Sequence, residues 1–285
     1  PQPLAGEEWI VAAEVQGRGA EARIFRAAAL AAEDVERHFG GQARTEEVVE
    51  WDARAGRARA FRRRTLGALV LEEAQVPVPP DAAPRALLAA VREGGLRLLP
   101  WSRETGQLRH RLRFLHRLEP EAWPDTSDEA LLETLDAWLL PFLPGARSLR
   151  DLAGVDLAEA LLSRVPWGTR ARIEELAPAR LEVPTGSRIA IDYSDPDAPA
   201  LAVKLQEVFG LAETPRIGGG RVPLTMELLS PARRPVQVTR DLASFWRDAY
   251  FEVRKELRGR YPKHPWPEDP LMAEPTRRTK RRGGG

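Results

Sequence analysis

Residues 239–270 read TRDLASFWRDAYFEVRKELRGRYPKHPWPEDP. The first half carries helical periodicity: Leu242, Phe245, Trp246, Ala249, Val253 and Leu257 fall on one side, with Arg247, Arg254, Lys255 and Arg258 flanking or following them. The second half sets Arg260, Tyr261, Lys263, His264 and Trp266 on a backbone stiffened by Pro262, Pro265 and Pro267. The pattern predicts a long helix over about 241–257 that closes a terminal module and then runs into an extended tail. The chemistry points to binding. Cations neutralise phosphates, and aromatic faces stack on unpaired bases, which makes Arg254, Arg258, Tyr261 and Lys263 candidate nucleic-acid contacts. The alternative is that Tyr261 and Trp266 clamp the tail onto the protein's own core.

Upstream, the segment 181–238 reads as short strands around proline and glycine turns, Pro184 to Ser187 and Asp195 to Pro199 among them. With the helix it forms a small α+β domain, 181–270. Asp192, Asp195 and Asp197 could form a metal loop or an acid pair, but Pro196 and Pro199 mark an ordinary Asp/Pro turn, without an EF-hand's glycine and distal glutamate. The triple glycine 218–220 is followed by Arg221 and no GK[ST], so it is read as a loop rather than a phosphate cradle.

Residues 79–180 are helical. Ser102 is placed to cap a helix reaching Leu118, whose Arg109, Arg113 and Arg117 recur at i, i+4, i+8; the face is either a nucleic-acid contact or a solvated one. Thr126 and Glu129 have capping-box spacing ahead of Leu131, Leu132, Leu135, Trp138, Leu139 and Phe142, a wide apolar stripe that predicts core.

Residues 1–78 carry β signals and one short helix, with a turn at Gly17 and Gly19, and suggest a small OB-like barrel. Its strand RARAFRRR gathers Arg57, Arg59, Arg62 and Arg64 as candidate phosphate contacts. The competing reading is a solvated edge strand kept from aggregating by its charge. The fold class is therefore multi-domain α+β: barrel, helical middle, terminal α+β domain, and a basic tail, 271–285, expected to be disordered.

Composition narrows the chemistry. The 285 residues hold 43% hydrophobic and 30% charged side chains and no apolar run long enough for a membrane helix, so a cytoplasmic protein without a membrane partner is expected. The absence of cysteine excludes disulfides and thiolate metal sites, and four scattered histidines (38, 110, 116, 264) argue against a histidine metal centre. From residue 254 onward there are ten Lys/Arg against four Asp/Glu, while the whole chain is only +1. No nucleophile elbow, zinc helix or catalytic cysteine occurs, so no catalytic residue is assigned.

The strings SRIAIDYSDPDAPALAVKLQEVFGLAETPRI (187–217), GRVPLTMELLSPARRPVQVTRDLASFWRD (220–248) and VRKELRGRYPKHPWPEDP (253–270) resemble the C-terminal region of bacterial HrpB-type ATP-dependent helicases, of the DEAH-box family. EEWIVAAEVQGRGAEARIFRAA (7–28) and EEVVEWDARAGRARAFRRRTLGALVLEE (46–73) resemble the OB-like segment that precedes it there. The resemblance implies an accessory end of an RNA-dependent motor. ATP and magnesium would belong to upstream RecA-like core domains whose motifs this sequence lacks, so the chain is not expected to be catalytic alone. A sequence opening at PQPLAGEEW is expected to be a fragment whose barrel is incomplete at its N-terminal side. The implied partners are RNA or single-stranded nucleic acid and the helicase core, with a protein-interaction module as the alternative.

Overall fold

The computed structural model describes residue 4, residues 6–17 and residues 22–279. The chain divides into two compact units, residues 1–90 with 145–149, and residues 91–144 with 150–285.

In the first unit, β1 (Ile10–Gly17) and β2 (Ala22–Ala29) form an antiparallel pair. The helix α1 (Ala32–Phe39) follows, then β3 (Arg44–Asp52), β4 (Arg57–Leu66) and β5 (Leu69–Val76) as an antiparallel sheet in that order. The expected turn at Gly17 and Gly19 lies partly outside the described residues. The OB-like barrel is corrected: among the described residues there is no closed barrel. The β1–β2 pair hydrogen-bonds only within itself, and Val11, Val15, Ile24 and Phe25 remain about half exposed instead of filling a barrel interior. Beside the start of β4, which β5 does not reach, residues 147–149 pair instead: the Ala58 amide donates to the Arg147 carbonyl at 3.0 Å and the Leu149 amide to the Gly56 carbonyl at 3.1 Å.

The helix α2 (Ala82–Gly94) ends at Gly95, whose φ of +81° suits a residue without Cβ and whose amide donates to the Val91 carbonyl at 2.8 Å. In α3 (Arg103–Leu118), Ser102 caps as its sequence predicts, in a reciprocal box with Thr105. The single helix expected from Thr126 is corrected: the chain forms α4 (Asp128–Glu133), α5 (Leu135–Trp138) and a 3-10 turn at residues 140–142. Ser127 is the cap, because Thr126 is buried and gives its hydroxyl to the Arg109 carbonyl at 3.0 Å. The break falls at Thr134, whose hydroxyl bonds back to the Ala130 carbonyl, and Pro141 supplies no amide. The helices α6 (Leu157–Leu162) and α7 (Arg172–Leu176) pack on α3.

The β part of this unit has β6 (Arg180–Glu182) antiparallel to β7 (Arg188–Ala190). β8 (Ala200–Lys204), the short pair β9 (Arg216–Ile217) and β10 (Val222–Pro223), β11 (Thr225–Leu229) and β12 (Pro235–Thr239) follow. β8 and β11 are parallel, with β12 antiparallel on the far side of β11. Alternation puts Leu201, Val203, Met226 and Leu228 in the core. The long terminal helix is also corrected, to α8 (Leu242–Arg247) and α9 (Tyr250–Arg260). At the break the Ser244 hydroxyl donates to the Asp248 carboxylate at 3.1 Å, and the Asp248 backbone turns to φ -110° and ψ -63°. Phe245, Trp246 and Tyr250 then share one aromatic cluster with Phe209.

Candidate nucleic-acid interface

The sequence places four candidate phosphate contacts on β4, and the structure places carboxylates against three of them. Arg59 meets Asp52 at 2.8 Å, Arg62 meets Glu47 at 3.0 Å, and Arg64 meets Glu36 of α1 at 2.6 Å and Glu72 at 3.5 Å. Arg63 bridges Glu50 on one neighbouring strand and Glu73 on the other. Arg57 is exposed at the head of the strand, directly across from Asp52. Hydrogen bonding by Arg64 holds Glu36 below the usual carboxylate range, and Arg63 does the same for Glu50. For Asp52 the larger cause is the Ala55 amide, with Arg59 adding to it. The signal was in the sequence: RTEEVVEWD (44–52) is the acidic complement of RARAFRRRT across a hairpin, and cross-strand neighbours of opposite charge attract. Such a sheet is close to neutral where the sequence alone suggested a basic track.

The tail candidates divide. The Arg254 guanidinium donates to the Trp266 carbonyl at 3.0 Å and to Glu268 at 3.3 Å, so it works within the fold. Trp266 is buried, its indole N–H donating to the Tyr261 carbonyl at 2.9 Å, while the Tyr250 hydroxyl donates to the Pro267 carbonyl at 2.8 Å. Trp266 therefore clamps the tail, and Tyr261 is half-buried, edge-on to His264. Arg258 and Lys263 are exposed, and among the described residues no carboxylate pairs with them. The backbone of residues 271–279 continues along the same domain, the Thr276 amide donating to the Gln206 carbonyl at 2.9 Å; residues 280–285 lie outside the described residues.

On α3, Arg109 donates to the Thr126 carbonyl at 2.8 Å, pairs with Asp128 and covers the Trp101 ring; Arg111 donates to the Ala177 and Ile173 carbonyls and to Glu174. Arg117 pairs with Asp197 at 2.8 Å, which leaves Arg113 exposed. The Asp192–Asp197 segment is a turn: Asp192 accepts the Ser194 amide and Asp195 the Asp197 amide, each at 2.9 Å. Among the described residues no group of His, Asp and Glu is placed to hold a metal ion. No helix among them is long and apolar enough to cross a membrane.

Sequence reasoning missed one convergence. Arg180, Arg188, Lys204 and Arg233 line a single cavity of 360 Å³. Each stands on its own strand or turn, so no window of sequence shows them together.

Two histidines carry a pH signature. Burial, and then Arg109, hold His110 below the ordinary 6.5; burial, and then Lys204, do so for His264. Each also has a buried Nδ1 without a hydrogen-bond partner. The folded protein favours the neutral form of both imidazoles, so the unfolded chain takes up protons first as pH falls. Their contribution to stability is complete above 6.5 and is lost as pH falls through 6.5 toward the folded values. The thermal midpoint is expected to fall between about pH 7.5 and pH 5.5, with a shallower fall in a His110→Gln/His264→Gln variant. Identical slopes would show that neither histidine is linked to folding.

Known proteins match along this whole arrangement. The family described as "ATP-dependent helicase C-terminal" matches residues 138–270, and "ATP-dependent RNA helicase HrpB, connector region" matches residues 42–75. The ATP-dependent RNA helicase HrpB of Escherichia coli (strain K12) is 44% identical over 282 residues, 98% of this chain. The crystal structure of the E. coli DExH-box NTPase HrpB is similar with a TM-score of 0.69 at 43% identity, covering 97% of this chain and 35% of that one. That of the Escherichia coli DEAH/RHA helicase HrpB gives 0.60 at 41% identity, covering 91% and 33%. The chain spans 35% of the length of the curated relative it matches. Both the connector and the C-terminal descriptions fall within it, and the chain belongs to the HrpB family of ATP-dependent helicases, corresponding to its C-terminal region.

Proposed function

We propose that this chain is the accessory end of an ATP-dependent RNA helicase, lending nucleic-acid contacts and support to an upstream RecA-type motor. ATP and magnesium are the business of that motor, and the chain contributes no catalytic residue. The observation that carries the nucleic-acid reading is the unequal fate of the cations. Those of β4 are largely committed to carboxylates, whereas Arg180, Arg188, Arg258 and Lys263 of the second unit are exposed without an ion pair among the described residues. Exposed, unpaired guanidinium and ammonium groups release counterions from phosphates when they bind, and the salt dependence measures how many do.

Labelled single-stranded RNA titrated with the chain at several salt concentrations tests this. Binding in about the micromolar range at about 50 mM salt is expected, with log affinity falling by about 0.7 per phosphate contacted as log salt rises. No detectable binding at that salt would overturn the reading.

A protein-interaction role rests on a separate observation. A groove of 640 Å³ is lined by Ala243, Trp246, Phe251 and Leu271, with Glu213 and Asp269 also lining it, and Phe251 is 49% exposed. A partner held there survives nuclease treatment and is lost with Phe251→Asp, which separates this role from RNA bridging.

A further inference from the structure

We propose that the cavity between β6, β7, β8 and the β11–β12 turn is a phosphate clamp that grips the backbone of a single nucleic-acid strand. The proposal rests on the nucleic-acid reading above and names the site that would carry it.

Four cations line the cavity, and the fold brings them from four separate places. Arg180 lies on β6, Arg188 on β7, Lys204 at the end of β8, and Arg233 in the turn between β11 and β12. Like charges converging on one cavity repel unless a counter-charge sits among them. The carboxylates nearby do not supply it in full. Glu207, the acidic residue of the lining, is buried and accepts hydrogen bonds from the Ser187 hydroxyl at 2.8 Å and the Thr185 hydroxyl at 3.2 Å. Glu182 lies directly across from Arg188 and makes no ion pair with it. The cations thus outnumber the lining carboxylate four to one. This is the reverse of β4, where folding brings an acid to nearly every arginine.

The Arg180 side chain and the Arg233 backbone are each held in place. The Arg180 guanidinium donates to the Arg188 carbonyl at 3.2 Å, which fixes one nitrogen and leaves its other donors unused. Arg233 sits at φ 61°, among the described residues the one non-glycine in the left-handed region. The turn over-determines it: the Arg233 amide donates to the Ser230 carbonyl at 2.9 Å, the Ser230 amide to the Arg234 carbonyl at 2.8 Å, and the Arg234 amide to the Ser230 hydroxyl at 3.1 Å. Glycine fits such a position without strain, and arginine does not. An unfavourable residue held at a cavity wall directs attention to what its side chain does there.

The chemistry of the walls selects the ligand. Guanidinium groups present paired donors that match phosphate oxygens, and Lys204 adds a point charge. The remainder of the lining is aliphatic, Val203 and Leu229 among it, and it contains no aromatic ring. A sugar can rest on such a surface, but a base has nothing to stack on. The site therefore reads phosphate without reading sequence, and it suits a phosphodiester passing through rather than a nucleotide held by its base.

The test uses the full chain, labelled single-stranded RNA of mixed sequence, and inorganic phosphate as competitor. Arg233→Gly keeps the turn, since glycine takes the same φ, so its thermal midpoint should stay level or rise. Its RNA affinity should nevertheless fall about tenfold, the loss of one charge-assisted contact. Arg180→Gln/Arg188→Gln should fall further and lower the salt slope by about 0.7 for each phosphate released. Wild-type binding with unchanged affinity and slope in both variants overturns the clamp and leaves the nucleic-acid reading standing. Absence of wild-type binding overturns that reading itself. Displacement of RNA by inorganic phosphate at equal concentration would show a site for free phosphate and overturn the assignment to a strand.

Discussion

Trp246→Ala is expected to destabilise the second unit by about 3–5 kcal/mol in urea or thermal unfolding, the range for removing a buried large aromatic. Trp246 is 3% exposed, and its ring centroid lies 4.9 Å from that of Phe245, 5.3 Å from Tyr250 and 6.3 Å from Phe209. Truncation removes those contacts together and leaves a void, because the neighbouring rings belong to separate elements that cannot all close in. It also strips the Leu211 carbonyl of the indole N–H that donates to it at 2.8 Å. Trp246→Phe restores much of the volume but not that bond, and should recover part of the loss. A change below about 1 kcal/mol in Trp246→Ala would mean that the cluster is not a packed core.

Trp138→Ala should cost a similar amount, about 3–5 kcal/mol, for a different combination of reasons. Trp138 is fully buried, as are Leu131, Leu135 and Leu139, and its indole N–H donates to the Leu131 carbonyl at 2.9 Å. That carbonyl lies in the last turn of α4, where helices run out of internal donors. The side chain thus fills the core and also closes the end of α4 where the chain breaks at Thr134. Unfolding should therefore show a lower midpoint and reduced helical signal before the transition. A variant that keeps its wild-type midpoint would contradict this placement.

How far the sequence revealed this fold depended on the range of the interaction. Local signals were legible. The Ser102 cap, the turn at 184–187 and the apolar stripe through Trp138 each follow from a few neighbouring residues. The helix breaks at Thr134 and Asp248 were not, because the apolar periodicity continues across both. The barrel was not legible either: strand patterning is the same for a closed barrel and for separate sheets, and only the pairing of edges distinguishes them. For the site, residue type was a poor guide. Arg62 and Arg64 look free in sequence and meet carboxylates in space, while Arg188 and Arg233, unremarked in sequence, share one cavity. Ion-pairing is a property of tertiary neighbours. The acidic complement in residues 44–52 was the one clue that could have been read in advance.

The central claim is that the cations left unpaired in the second unit, rather than those gathered on β4, meet nucleic acid. The most direct measurement compares the salt dependence of single-stranded RNA binding for the wild type and two charge-removal sets. One set replaces Arg57, Arg59, Arg62 and Arg64 with glutamine, and the other replaces Arg180, Arg188, Arg258 and Lys263. The first should keep the wild-type salt slope while its thermal midpoint falls, since its carboxylates lose their partners. The second should keep its midpoint and lose about 0.7 of slope for each phosphate contact removed. The opposite pattern, with slope lost from the β4 set and retained in the other, would contradict the account.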